Sequence, residues 1–183
     1  PGYEFANEYP TNQFQPDEFS ILQGLCCGFD VGLRWHRRSI AVRDGSGYKR
    51  AMTTLLFTHE ASMRHVTPQG HPERIDRIRA ITQILGSASF ADLARRDAPL
   101  VRDEDILRAH TYEHLERIRA VAPVEGFEYI DPDTVMSPGT LEAALRAAGA
   151  ATAAVDAVFQ GVADNAFCAL RPPGHHAESR RAM

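Results

Sequence analysis

Apolar positions fall into clear periods from residue 54 onward. Thr54-Leu55-Leu56-Phe57 is a short continuous apolar run, which predicts a buried strand. A polar stretch carrying His59, His65 and His71 follows. Ile75, Ile78, Ile81, Ile84 and Leu85 then recur three or four apart. They predict a helix over about 72–85, with Pro72 in its first turn and Gly86 as its stop. Further helices are predicted at 90–95, at 104–108 behind a capping Asp103, and behind a capping Thr111, ended by Pro123, with Tyr112, Leu115, Ile118 and Ala122 turned inward. Pro99-Leu100-Val101 reads as a short strand, and 126–139 as a loop full of turn formers. The longest helix is predicted over 140–160, ended by Gly161, with its inner stripe at Leu141, Ala144, Leu145, Ala148, Ala151, Val155, Val158 and Phe159. Ala166-Phe167-Cys168-Ala169-Leu170 is a second apolar strand. A long helix feeding such a strand is the pattern of an α/β fold with a parallel sheet.

Residues 1–51 lack this order. They hold eight of the fifteen aromatic residues, and their six basic and six acidic residues cancel, so the net charge of −4 lies on 52–183. The most apolar part, 21–33, is interrupted by Gln23 and Asp30 and has no basic flank before it, unlike a signal peptide. Adjacent Cys26 and Cys27 lack a zinc spacing and resist bridging each other, so they read as free thiols. The first methionine is Met52, where the pattern starts. We therefore expect 1–51 to be an extension, a fused segment or, as the favoured reading, translated upstream sequence ahead of a start at Met52. Lys49 is the only lysine among 20 basic residues, and alanine is abundant, which fits GC-rich coding DNA and a bacterial source. Mild acidity argues against a nucleic-acid partner. No apolar run is long enough to cross a bilayer as a helix.

Candidate chemistry follows the last predicted strand. Arg171-Pro172-Pro173-Gly174 breaks it, and His175-His176 comes next. In parallel sheets, ligands bind outside the carboxyl ends of strands. Two imidazoles there are suited to proton transfer near neutral pH, and mutual repulsion tends to keep one of them neutral as a base. A pair of plain loop histidines is the competing reading. The His-His motif of acyl-transferring condensation enzymes needs an acid four residues on, where this chain has Arg180. His110 and His114 have a spacing that can hold a metal on a helix, but they read better as packing or surface positions. Cys168 reads as a buried packing residue.

Leu170 to Glu178, followed by Arg181-Ala182-Met183, closely resembles the histone deacetylase superfamily, in its class II-like bacterial branch that includes acetylpolyamine amidohydrolases. Gly70 to Arg77, His110 to Leu115, Asp131 to Thr134 and Ser137 to Thr140 resemble further motifs of that family in the same order. The resemblance covers 52–183 and leaves 1–51 unmatched. It implies a parallel-sheet, three-layer fold of the arginase and deacetylase type, present as its N-terminal part. It also implies zinc-dependent hydrolysis of an N-acetyl amide, with acetate released from acetyl-lysine in protein or from an acetylated polyamine. A zinc-bound water would attack the acetamide carbonyl, because the metal lowers the water's pKa toward neutrality. His176 matches the general base and acid. His175 matches the residue that hydrogen-bonds the water and steadies the tetrahedral intermediate. Asp133 matches the acceptor that holds the substrate backbone at the pocket rim, and Arg77 an arginine near the acetate-releasing cavity, with a plain helix-surface arginine as its competing reading. His59, His65 and His71 fall where the family lines the mouth and foundation of its pocket, and read as supporting or structural.

The family's zinc ligands, an Asp-x-His pair and a later Asp, lie beyond its His pair, as do the catalytic tyrosine and the carboxylates that orient the histidines. The chain contains no Asp-x-His. Zinc ligands are therefore expected beyond Met183, and the 183 residues alone are expected to bind zinc poorly and to lack deacetylase activity. A cytoplasmic location is expected, with no direct nucleic-acid or membrane partner. A scaffold protein that retained the fold without the chemistry is the alternative, and a two-metal manganese hydrolase of the same fold is a third reading.

Overall fold

The computed structural model describes residues 41–43 and 49–183. The readings of the aromatic residues, the thiols and the 21–33 stretch lie outside the described residues. Strands β1 (Ala41–Arg43) and β2 (Lys49–Ala51) pair antiparallel, with Ala41 opposite Ala51, a hairpin that periodicity did not predict.

The site rests on a three-stranded parallel sheet in the order β4-β3-β7. Strand β3 (Thr54–Thr58) is central, and it hydrogen-bonds on one side to β4 (Ala94–Asp97) and on the other to β7 (Asn165–Cys168). Because side chains alternate along a strand, β3 feeds two cores. Leu55 and Phe57 pack with Ala98, Ala150 and Ala163. Leu56, fully buried, packs with Ile78, Leu85 and Ala169. The second core is covered by α2 (Ile75–Leu85), which follows the short α1 (Ala61–Arg64), and the first by the long α5 (Thr140–Phe159). Helix, sheet and helix form the three layers.

Several elements differ from the periodicity reading. Residues 90–95 are not a helix: a 3-10 turn over Ala88–Phe90 leads into β4. Strand β4 occupies 94–97, and 99–101 is not a strand. That segment instead crosses α5, where the Val101 N–H donates to the Leu145 carbonyl (3.1 Å) and Arg146 Nη1 to the Ala98 carbonyl (2.8 Å). Gly149 permits the crossing, since a Cβ there would lie 2.7 Å from the Val101 nitrogen. The buried face of α5 is thus Ala143, Gly149 and Ala150, while Val155 and Phe159 of the expected stripe are exposed. In a helix with apolar residues all round, closeness of approach selects the face, and small residues win. Helix α5 ends in a Schellman motif: the Val162 N–H donates to Ala157 O (2.9 Å) and the Gly161 N–H to Val158 O (3.0 Å), with Gly161 at φ +71°.

The helix expected at 72–85 starts only at Ile75, because residues 71–73 are held in loop contacts, and Ile84 faces solvent. Helix α3 spans Asp103–Ile106, with Arg102 rather than Asp103 at its cap. Helix α4 (Tyr112–Ala120) is capped as expected by Thr111, whose side chain accepts from the His114 N–H, but Tyr112 is exposed. The expected loop at 126–139 contains a hairpin, β5 (Glu128–Asp131) and β6 (Thr134–Met136), turned at Pro132-Asp133. No helix among the described residues is long and apolar enough to cross a membrane.

Candidate active site

His175 and His176 sit on the loop beyond the carboxyl end of β7, where the chain can leave the sheet because Arg171-Pro172-Pro173-Gly174 stops the strand. Their ring centroids are 4.1 Å apart and tilted by 47°. Both residues are exposed. Asp133 is the second residue of the hairpin turn; its N–H donates to Asp131 Oδ1 (2.9 Å), an Asx-type bond that leaves its own carboxylate exposed. Arg77 is half-buried on the first turns of α2.

Both ends of the histidine loop are pinned. At its front, Arg171 is 3% exposed. Its guanidinium forks onto Glu73, Nε to Oε1 (2.8 Å) and Nη2 to Oε2 (2.6 Å), while Nη1 donates to the carbonyls of Ser62 (2.9 Å) and His65. Its backbone N–H donates to Ser62 Oγ (3.3 Å). Glu73 Oε2 also meets His65 Nε2 (3.2 Å), and His65 Nδ1 meets Thr140 Oγ1 (2.7 Å) at the start of α5. The Ser137 N–H donates to Thr140 Oγ1 (2.8 Å), and Ser137 Oγ accepts from the Val66 N–H (2.9 Å), which closes the chain. Burial raises the Glu73 pKa, but the hydrogen bonds and charges of His65 and Arg171 outweigh it and bring the carboxyl to about 2.

At the rear, α4 holds residues 178–180. The Thr111 N–H donates to Ser179 O (3.0 Å), Arg117 Nη2 donates to Arg180 O (2.8 Å), and His110 Nδ1 lies 2.9 Å from Glu178 O. Arg117 also donates to His114 Nδ1 (3.0 Å). Burial, then the nearby His110 and Arg117, hold the His114 pKa below its usual value. His110 and His114 therefore serve packing and loop attachment. Cys168 is half-buried in the α5-side core, and burial raises its thiol pKa.

Periodicity and spacing did not single out Arg171, Glu73 or Ser62, since a charge pair 98 positions apart leaves no local pattern. The supporting reading of the nearby histidines fits their contacts: His65 joins the buried network, His59 Nδ1 accepts from the Ala61 N–H (3.1 Å), and His71 Nδ1 accepts from the Glu73 N–H (3.1 Å). A cleft of about 670 Å³ is lined by Arg64, Val66, Phe127, Pro138 and Glu142, and one of about 300 Å³ by Arg117, Tyr129, Asp131 and Arg180, among others. Neither is lined by His175, His176, Asp133 or Arg77. Among the described residues, no group of three His, Cys, Asp or Glu side chains could hold a metal ion.

Comparison with known proteins bears on this arrangement. The family model described as the histone deacetylase domain matches residues 71–183, more than half of the chain. A histone deacetylase-like amidohydrolase of Pseudomonas aeruginosa is 42% identical over 115 residues, covering 62% of this chain and 30% of that protein. A probable deacetylase of Archaeoglobus fulgidus is 33% identical over 130 residues, covering 69% and 36%. A crystal structure of an HDA15 HD domain superposes with a TM-score of 0.68 at 30% identity, covering 73% of this chain and 39% of that one. The chain thus spans about a third of the length of these two curated relatives. With its three layers, its parallel sheet and its His pair beyond a strand end, the chain belongs to the histone deacetylase family and has the α/β fold of the arginase and deacetylase type.

Proposed function

We propose that the whole protein is a zinc-dependent deacetylase that hydrolyses an N-acetyl amide, of acetyl-lysine in protein or of an acetylated polyamine, and releases acetate. The observation that carries this reading is the exposed His175–His176 pair at the carboxyl end of a parallel strand, within a segment that matches the deacetylase family. The described residues do not form a zinc centre by themselves. A zinc ion bound in the whole protein would supply an acidified water. His176 takes a proton from the attacking water and returns one to the leaving amine. His175 donates a hydrogen bond to the developing charge. Asp133 accepts the N–H of the substrate's backbone, and Arg77 pairs with the acetate product. The catalytic unit begins near Met52.

The test uses the protein expressed from the whole reading frame and loaded with zinc. Turnover of an acetyl-lysine peptide or an acetylated polyamine is expected, with loss of at least 100-fold in kcat for His176→Ala and no turnover by residues 1–183 alone. Failure of the whole protein on both substrate classes, or full activity of His176→Ala, would overturn the reading.

A further inference from the structure

The two histidine rings are exposed and make no side-chain hydrogen bond among the described residues, so their placement comes from the ends of their loop. The rear end is held by contacts at the rim of α4. The front end is held at Arg171, four residues before His175: its backbone N–H donates to Ser62 Oγ, and its buried guanidinium uses four of its five N–H donors. Among the described residues, those donors reach one other part of the chain, residues 62–73. That segment leads directly into the helix carrying Arg77.

We propose that Arg171 is a positioning residue for the His175–His176 pair, locked in place by Glu73 and, through Glu73, by His65 and Thr140. The identification of that pair as catalytic rests on the deacetylase reading above. The fork geometry matters as well as the charge. A guanidinium fixes direction through two parallel bonds to one carboxylate, whereas an ammonium makes single, rotatable contacts. Replacing the fork by a point charge lets the front of the loop swing, and a displacement of about 1 Å at a reacting group can cost on the order of 100-fold in rate. The same clamp joins the histidine loop to the start of α2, so movement at Arg171 also shifts Arg77 relative to the pair.

The experiment compares wild type, Arg171→Lys and the milder His65→Gln in the whole protein. The first readout is the ring ¹⁵N–¹H NMR of His175 and His176, assigned by His175→Asn and His176→Asn. The expected result is that both ring signals shift or broaden in Arg171→Lys, and in the same direction but less in His65→Gln. The second is steady-state kinetics per folded molecule: kcat falls 10-fold or more for Arg171→Lys while KM stays within 2-fold. Unchanged ring signals in both variants, or a loss of thermal stability with wild-type kcat in the folded fraction, would overturn the proposal. If the wild type turns over neither acetyl substrate, the deacetylase reading fails, and the NMR comparison still decides whether Arg171 positions the two rings.

Discussion

Glu73→Gln tests the buried clamp through its pH dependence. In the folded chain the Glu73 carboxyl is drawn from 4.5 to about 2, against the upward push of burial, by hydrogen bonds and charge from His65 and Arg171. Its side chain is only 16% exposed, so solvent screens these contacts weakly. A shift of this size is worth about 3 kcal/mol of stability. The sign follows from proton counting. Between the two pKa values the unfolded chain binds more protons than the folded one, so this stabilisation is complete above pH 4.5 and fades as pH falls toward 2. At pH 3 about 2 kcal/mol of it is gone. Glutamine does not titrate, and it leaves the Arg171 charge buried without a counterion. At pH 7 the variant should therefore be less stable than wild type by about 3–5 kcal/mol. By pH 3 the gap should close by about 2 kcal/mol. Urea unfolding of both proteins, followed by far-ultraviolet circular dichroism at pH 7, 5, 4 and 3, measures the gap directly. A gap that stays constant from pH 7 to pH 3 would refute the claim that Glu73 is ionised and paired in the fold.

Two further outcomes follow from other contacts. Gly149→Ala normally gains helix propensity of about 1 kcal/mol, but here its Cβ would meet the backbone of Pro99, Leu100 and Val101, and a net loss of about 1–2 kcal/mol is expected in thermal unfolding; a gain would show that the 99–101 crossing is looser than described. His114 has a pKa below its ordinary 6.5, so it contributes stability above that value that is lost as pH falls through its folded pKa; His114→Gln should flatten the decline in stability between pH 7 and pH 5, and an unchanged slope would exclude that role.

The elements that periodicity predicted are those whose burial depends on side-chain size. Strand β3 is central, buried on both faces, and reads as a plain apolar run. The stripe of α2 is legible because isoleucines alternate with charged residues. Strand β4 escapes the periodicity reading because, among the described residues, it pairs on one side only, and its Ala-Arg-Arg-Asp sequence is mostly exposed. The hairpin at 128–136 was hidden by its turn residues, which look like a loop when the flanking strands are three and four residues long. In α5 the extent of the helix was clear and its buried face was not, since alanines surround it and only the close crossing at Gly149 selects a side.

The site divides along the same line. The position of His175-His176 could be reasoned from local signals alone, because a strand end, a proline-glycine break and a histidine pair are contiguous. Arg171 and Glu73 could not, because their partnership exists only once β7 lies beside β3 and the loops beyond both strands meet. Yet both residues lie inside two of the stretches through which the chain resembles the deacetylases, Gly70 to Arg77 and Leu170 to Glu178. A resemblance between motifs therefore covers more than the groups that do the chemistry. In each stretch, the residue with a proposed part in the reaction, Arg77 or His176, is accompanied by one that ties its loop to the other. The motifs match as a pair because the structure joins them as a pair. A protein that kept His175-His176 while losing either Arg171 or Glu73 would retain one motif in sequence and lose the geometry that both provide.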